Sequence, residues 1–117
     1  MADYFWTEHA KYKMKQYGLS EQRVKRVIRT PYRVEEGIVK NTVAVMIPAG
    51  NFTVPKEGEK PNWKQELWVM YQVTKPKTQK HKNTNKLKVI SAWRYPGVSP
   101  KNNPIPEDIL REIGGLK

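Results

Sequence analysis

The spacing of apolar residues changes at Pro31, and this change constrains the fold more than any other feature of the sequence. Before Pro31, apolar side chains recur every three or four positions, which is the period of an amphipathic helix. After Pro31 they alternate with polar residues, which is the period of a half-buried strand. The chain is therefore predicted to open with helices and to continue with a sheet. Its 117 residues suffice for one domain with a single core.

Two helices are predicted in the first part of the chain. Thr7 is a favourable N-cap for a helix over residues 8 to about 17, and Gly18 suits the left-handed position after its end. Ser20 caps a second helix, and Pro31 ends it because the residue before a proline avoids the helical region. The two helices are predicted to form a hairpin.

Four strands and a closing helix are predicted next. Short connections between the strands favour antiparallel pairing. We therefore predict one α+β domain over residues 1–117, with an N-terminal helical hairpin packed on a four-stranded antiparallel sheet and a short C-terminal helix. The strands are predicted over Arg33–Lys40, Thr42–Ile47, Glu66–Thr74 and Lys86–Tyr95, and the closing helix over Pro106–Ile113.

The last two predicted strands carry apolar residues on both faces, so the sheet needs cover on the face away from the helical hairpin. An exposed apolar face of this size is unusual for a monomer. The C-terminal helix, a second subunit or a partner protein could cover it. The residues expected on this second face are Met46, Trp68, Met70, Ile90 and Ala92.

The net charge of +11 is concentrated in two segments. Residues 7–33 hold eight basic and two acidic residues, and residues 75–88 hold six lysines and no acid. Such concentrated charge favours RNA or another nucleic acid as partner, although two solvated faces without a ligand would give the same pattern. The lysines expected to contact nucleic acid are Lys13, Lys75, Lys77, Lys80, Lys82, Lys86 and Lys88.

Several classes of site are disfavoured by the composition. There is no cysteine and there are only two histidines, so we expect no metal site, and no motif for a cofactor is present. The N-terminus does not resemble a signal peptide, and no apolar stretch is long enough for a membrane span. These features predict a cytoplasmic protein without a membrane partner.

The opening of the chain resembles a known pattern. Thr7-x-His9-Ala10, followed by Met14, Gly18-Leu19-Ser20, Val24, Val27 and Pro31, is similar to the start of small bacterial domains of unknown function that are related to the BrnT and RelE toxins. The resemblance covers about the first 31 residues, and the strands around Trp68 and Trp93 fall where that group has its sheet.

This resemblance implies a RelE-like fold and a metal-independent ribonuclease, often a toxin held by an antitoxin. Enzymes of the RelE type use Lys, Arg, Tyr or His around the scissile phosphate. The long loops at 48–64 and 75–85 depart from the pattern, and the toxin's catalytic residues do not map onto this chain one by one. An antitoxin-like protein or a second copy of the chain is the implied protein partner.

Three residues are the best candidates for catalysis. His9, at the start of the first helix, could accept the 2′-hydroxyl proton of RNA; alternatively, it could hydrogen-bond to a neighbouring strand. Arg94 could stabilise the charge on the phosphate, or simply lie over an aromatic ring. Tyr95 could stack on a base or donate a proton.

Three functions therefore stay open: a RelE-like ribonuclease, a non-catalytic nucleic-acid-binding module, and an interaction protein that uses the apolar sheet face.

Overall fold

The computed structural model describes residues 3–37, 41–50, 52–74, 86–100 and 105–114. It confirms the α+β class, with three helices and one sheet. None of the helices within these ranges is long and apolar enough to cross a membrane. In chain order the elements are β1 (Asp3–Trp6), α1 (Glu8–Tyr17), α2 (Glu21–Arg29), β2 (Arg33–Glu36), β3 (Thr42–Pro48), β4 (Gln65–Thr74), β5 (Lys86–Pro96) and α3 (Glu107–Gly114).

The sheet has five strands in the order β1-β5-β4-β3-β2, and it is mixed rather than antiparallel. β1 pairs in parallel with β5, from Asp3 opposite Lys86 to Trp6 opposite Val89, and the other neighbours are antiparallel. The prediction of four antiparallel strands is therefore wrong in this detail. Four residues are too few to show a clear alternation, and the partner of β1 lies at the other end of the chain.

The predicted caps of both helices are present. The side chain of Thr7 accepts a hydrogen bond from the backbone N–H of Ala10, and that of Ser20 accepts one from Arg23. Gly18 has φ 68°, which favours glycine, and the N–H of Leu19 returns to the carbonyl of Met14 at 2.7 Å. α1 and α2 are not mainly packed on each other, however: α1 lies on β5, whereas α2 lies on β3 and β4.

A β-bulge in β5 changes which side chains share a face. Met70 pairs with Ser91 and Tyr71 with Val89, so Ile90 is an additional residue in the ladder. As a consequence Ala92 packs on the side of α1 and α2, together with Val89. The expectation that Ala92 lies on the second face is wrong; the next residue, Trp93, lies there instead.

The second face of the sheet is covered by the chain itself. Met46, Trp68 and Met70 lie there as predicted, and Trp68 and Trp93 stack with ring centroids 6.0 Å apart. Of the three possible covers, the C-terminal helix α3 is the one observed, and the loop between β3 and β4 covers part of the same face. The covering side chains are Phe52, Trp63, Ile105 and Ile109.

The carboxylate of Glu66 is completely buried and joins several of these parts. It accepts hydrogen bonds from the indole N–H groups of Trp63 at 2.8 Å and Trp68 at 2.9 Å. The hydroxyl and the backbone N–H of Ser99 donate to it at 2.6 and 3.3 Å. Arg33 approaches the same carboxylate at 3.8 Å and donates to the carbonyl of Ser99 at 3.1 Å.

We expect the substitution Glu66→Gln to lower the free energy of unfolding by about 3 kcal/mol, because an amide NH₂ would face donors and leave at least one buried donor unpaired. Urea denaturation followed by tryptophan fluorescence measures this change. Glu57→Gln, at an exposed position of the loop between β3 and β4, is the matched control and should change stability by less than about 0.5 kcal/mol. Equal effects of the two substitutions would contradict the role given to Glu66.

Candidate nucleic-acid interface

His9 lies in the first turn of α1 and contacts both a strand and a helix. Its Nε2 is 3.1 Å from the hydroxyl of Ser91 on β5, and its Nδ1 is 3.4 Å from a carboxylate oxygen of Glu112 on α3. The side chain is 15% exposed. The alternative interpretation of His9, a hydrogen bond to a neighbouring strand, therefore describes its observed contacts.

Lys13 follows His9 one turn later on the same face of α1, and it is buried. Its side chain is 2% exposed, and its Nζ lies 2.8 Å from the second carboxylate oxygen of Glu112. Nζ also donates to the side-chain oxygen of Gln16 at 3.2 Å. The expected role of Lys13 in nucleic-acid binding is not compatible with this burial, because a phosphate cannot reach the amine while α3 is in place.

Ser91, His9 and Glu112 form a chain of contacts in the order used by serine hydrolases, in which a hydroxyl, an imidazole and an orienting carboxylate follow one another. Ser91 is completely buried, so no substrate can approach its hydroxyl. The cluster therefore joins α1, β5 and α3 and does not form a hydrolytic site.

Burial lowers the pKa of His9 below its usual value of 6.5. The carboxylate of Glu112 acts in the opposite direction, and the positive charge of Lys13 lowers the pKa further. The imidazole is therefore neutral at neutral pH. A neutral imidazole can accept a proton, but here both ring nitrogens already have partners.

Arg94 and Tyr95 are adjacent in β5 and point to opposite faces of the sheet. The Nε of Arg94 donates to the carbonyl of Tyr17 at 2.6 Å, and one terminal nitrogen donates to Gln65 at 3.0 Å. Tyr95 packs with the tryptophans of the second face. Tyr17 ends α1, two turns or about 12 Å along the axis from His9. The structure therefore does not bring the three candidate catalytic residues together at one point.

Arg94 instead lies close enough to Arg23 of α2 for the two charges to interact. Its pKa is lowered by burial and also by the nearby positive charge of Arg23. Arg23 and Arg26, three positions apart, point from the same side of α2. We call Arg23, Arg26 and Arg94 the arginine cluster. Within the described ranges, no carboxylate forms an ion pair with any of them.

A cleft of about 300 Å³ opens beside this cluster, and we call it the arginine cleft. It lies where α2 crosses the end of β3 and the start of β4. Among its described lining residues, Arg23 and Arg26 are the ones with charged side chains. Its other lining residues are Val27, Ile47, Pro48, Gly50, Phe52 and Leu67.

Only some of the lysines that are expected to contact nucleic acid lie within the described residues. Lys86 and Lys88 open β5 beside β1, where Lys86 approaches the ring of Phe5 at 5.9 Å. The other predicted lysines, Lys75, Lys77, Lys80 and Lys82, lie outside the described residues.

The described ranges hold no group of three or more potential metal ligands.

The sequence singled out Arg94, His9 and Lys13. It did not single out Arg23, Arg26 or Glu112, which the structure brings into the same surroundings. Arg23 and Arg26 lie in the first basic segment, and their spacing on one helix face was a usable signal. The proximity of Arg94 to Arg23 had no such signal, because it depends on how α2 crosses the sheet. The pairing of Glu112 with Lys13 likewise requires the position of α3.

We expect the imidazole of His9 to titrate below pH 6.5 in the folded protein. Because its pKa is lowered on folding, its contribution to stability is complete above about pH 6.5 and is lost as the pH falls toward the folded pKa. NMR titration of the imidazole signals measures this directly. In Glu112→Gln the pKa should fall further, since the carboxylate that raises it is gone while Lys13 remains. An upward shift in this variant would contradict the assigned contacts.

No family model, curated protein or solved structure matches the chain. The resemblance of the opening residues to RelE-related domains therefore stays an expectation from the sequence.

Proposed function

We propose that this protein binds nucleic acid, preferably RNA, through the arginine cluster and the adjoining cleft. The observation that carries the proposal is that Arg23 and Arg26 line one cleft and that the charge of Arg23 also acts on Arg94, while the described residues give none of the three a carboxylate partner. Like charges held close together repel each other, and a bound anion would remove this cost. Guanidinium groups form forked hydrogen bonds that match the oxygens of a phosphate.

Three other basic residues contrast with this cluster. Lys11 pairs with Glu8 at 2.9 Å, Lys13 with Glu112 and Arg33 with Glu35 at 2.8 Å. Their charges are thus at least partly compensated within the protein. Contacts to phosphates position a nucleic acid but do not read its sequence, so the proposed binding is largely independent of sequence.

A metal-independent ribonuclease of the toxin type, with an antitoxin-like partner, is the second candidate. The neutral imidazole of His9, oriented by Glu112, favours it. Against it stand the burial of His9 and its distance from Arg94, the cation that was expected to act with it. Binding without catalysis is therefore the better supported proposal. The third candidate, an interaction protein that uses the apolar sheet face, is less well supported, because Ile109 and Trp63 cover that face.

We expect the double substitution Arg23→Gln/Arg26→Gln to weaken binding of a single-stranded RNA by about tenfold. The slope of log K against log salt should also become shallower by about 1.4, since each lost phosphate contact removes about 0.7. Fluorescence anisotropy over a range of salt concentrations measures both quantities.

The control is Lys56→Gln/Lys60→Gln, which removes the same charge from exposed loop positions outside the cleft. This variant should keep most of the affinity. Equal losses in the two double variants would mean that only net charge matters. Absence of wild-type binding at low salt would refute the proposed function.

The ribonuclease candidate has its own test. If it is correct, His9→Ala should reduce RNA cleavage at least 10²-fold and leave RNA binding largely intact, because the variant loses only the proton acceptor. DNA of the same sequence should resist, since it lacks the 2′-hydroxyl. A gel assay with EDTA present checks both expectations. Unchanged cleavage in His9→Ala would remove this candidate.

A further inference from the structure

We propose that the arginine cleft receives one unpaired nucleotide, with its base inside the cleft against Phe52 and its phosphate on Arg23 and Arg26. The ligand class is therefore single-stranded nucleic acid rather than duplex. This inference rests on the proposed function and goes beyond it, because phosphate contacts alone would not distinguish strands from duplexes.

The size and composition of the cleft fit a base better than a phosphate alone. Its volume of about 300 Å³ is at the small end of ligand pockets. The apolar residues Val27, Ile47 and Leu67 form the floor of the cleft. The two positive charges belong to Arg23 and Arg26, which line the cleft from α2. An inorganic anion would use the arginines and leave the apolar floor in contact with water. A nucleotide would cover the floor with its base and still reach the arginines with its phosphate.

Phe52 supplies a fixed aromatic ring in the wall of the cleft. Tyr32 contacts it edge-to-face with centroids 5.5 Å apart, and Trp63 does so at 5.8 Å. Tyr32 and Trp63 also contact each other at 5.3 Å, so the three rings brace one another. A ring held in this way can stack on a base without losing much conformational entropy on binding.

The backbone of the cleft also leaves room for close approach. Gly50 lines the cleft with φ 77°, a conformation that favours glycine. Apart from Gly50 itself and its two neighbours in the chain, no heavy atom of the described residues lies within 4 Å of the point where a Cβ would be at this position.

The described lining of the cleft offers little basis for reading the identity of the base. Apart from the two arginines, its lining side chains are apolar, so amides and carboxylates that could pair with base edges are not among its described lining. Recognition would come from stacking, which every base can provide. A duplex keeps its bases paired and stacked inside the helix, so it could contact the arginines but not fill the cleft.

The test compares a single-stranded RNA oligonucleotide with a duplex of the same length, each binding to wild type, Phe52→Leu and Arg23→Gln/Arg26→Gln. Phe52→Leu keeps an apolar side chain but removes the aromatic face. We expect it to weaken single-strand binding about tenfold and to leave duplex binding unchanged. Tyr12→Leu, at an exposed aromatic residue of α1 outside the cleft, is the matched control and should change neither.

A competition experiment with the wild-type protein tests the inference independently of the folding of the variants. Adenosine 5′-monophosphate should displace the oligonucleotide at a concentration at least tenfold lower than inorganic phosphate at equal ionic strength. Equal competition by the two, or equal single-strand affinity in Phe52→Leu and wild type, would overturn the inference. If the arginine variant still lost affinity in that case, the proposed function would stand. If neither oligonucleotide bound at low salt, both proposals would fail.

Discussion

The buried carboxylate of Glu66 connects parts of the chain that the sheet by itself leaves separate. Its donors come from the loop before β4, from β4 and from the segment after β5, namely Trp63, Trp68 and Ser99. A buried carboxylate is costly unless such donors are in place, so these segments must assume their positions together. Arg33 extends the network to β2 through Ser99. The covering of the second sheet face depends on this arrangement, because the segment that contains Ser99 leads on to α3.

The position of α3 in turn decides which cations are available to a ligand. Once Ile109 is buried on the second face, Glu112 lies next to α1, where its two carboxylate oxygens engage His9 and Lys13. Two residues expected to act on RNA are thereby neutralised or buried. Arg23 and Arg26 of α2, by contrast, form no ion pair with a carboxylate of the described residues. The same packing that completes the core thus compensates the charge of Lys13 and not the charges of the arginine cluster.

Local features of the fold could be predicted because their causes are local. The caps at Thr7 and Ser20 depend on residues three positions away, and the alternation of β4 is visible over its whole length. β1 could not be predicted, since four residues carry little periodicity and their partner is distant. The bulge at Ile90 could not be predicted either, because β4 and β5 each have a regular alternation in the sequence. Only the pairing of the two strands shows that Ile90 is an additional residue. The bulge moved Ala92 to the face opposite to that predicted and placed Trp93 on the second face.

For the candidate site, the sequence determined the number of positive charges, their concentration in two segments and the helix face on which His9 and Lys13 lie. It could not determine which of these charges a carboxylate would compensate. Lys13 and Glu112 are almost a hundred residues apart and meet only because α1 and α3 both pack beside β5 and its second face. Arg94 approaches Arg23 for a similar reason, since α2 crosses the sheet near the end of β5. A carboxylate compensates a positive charge effectively only when the two groups lie within a few ångströms of each other. For residues that are distant in the sequence, only tertiary packing sets that distance.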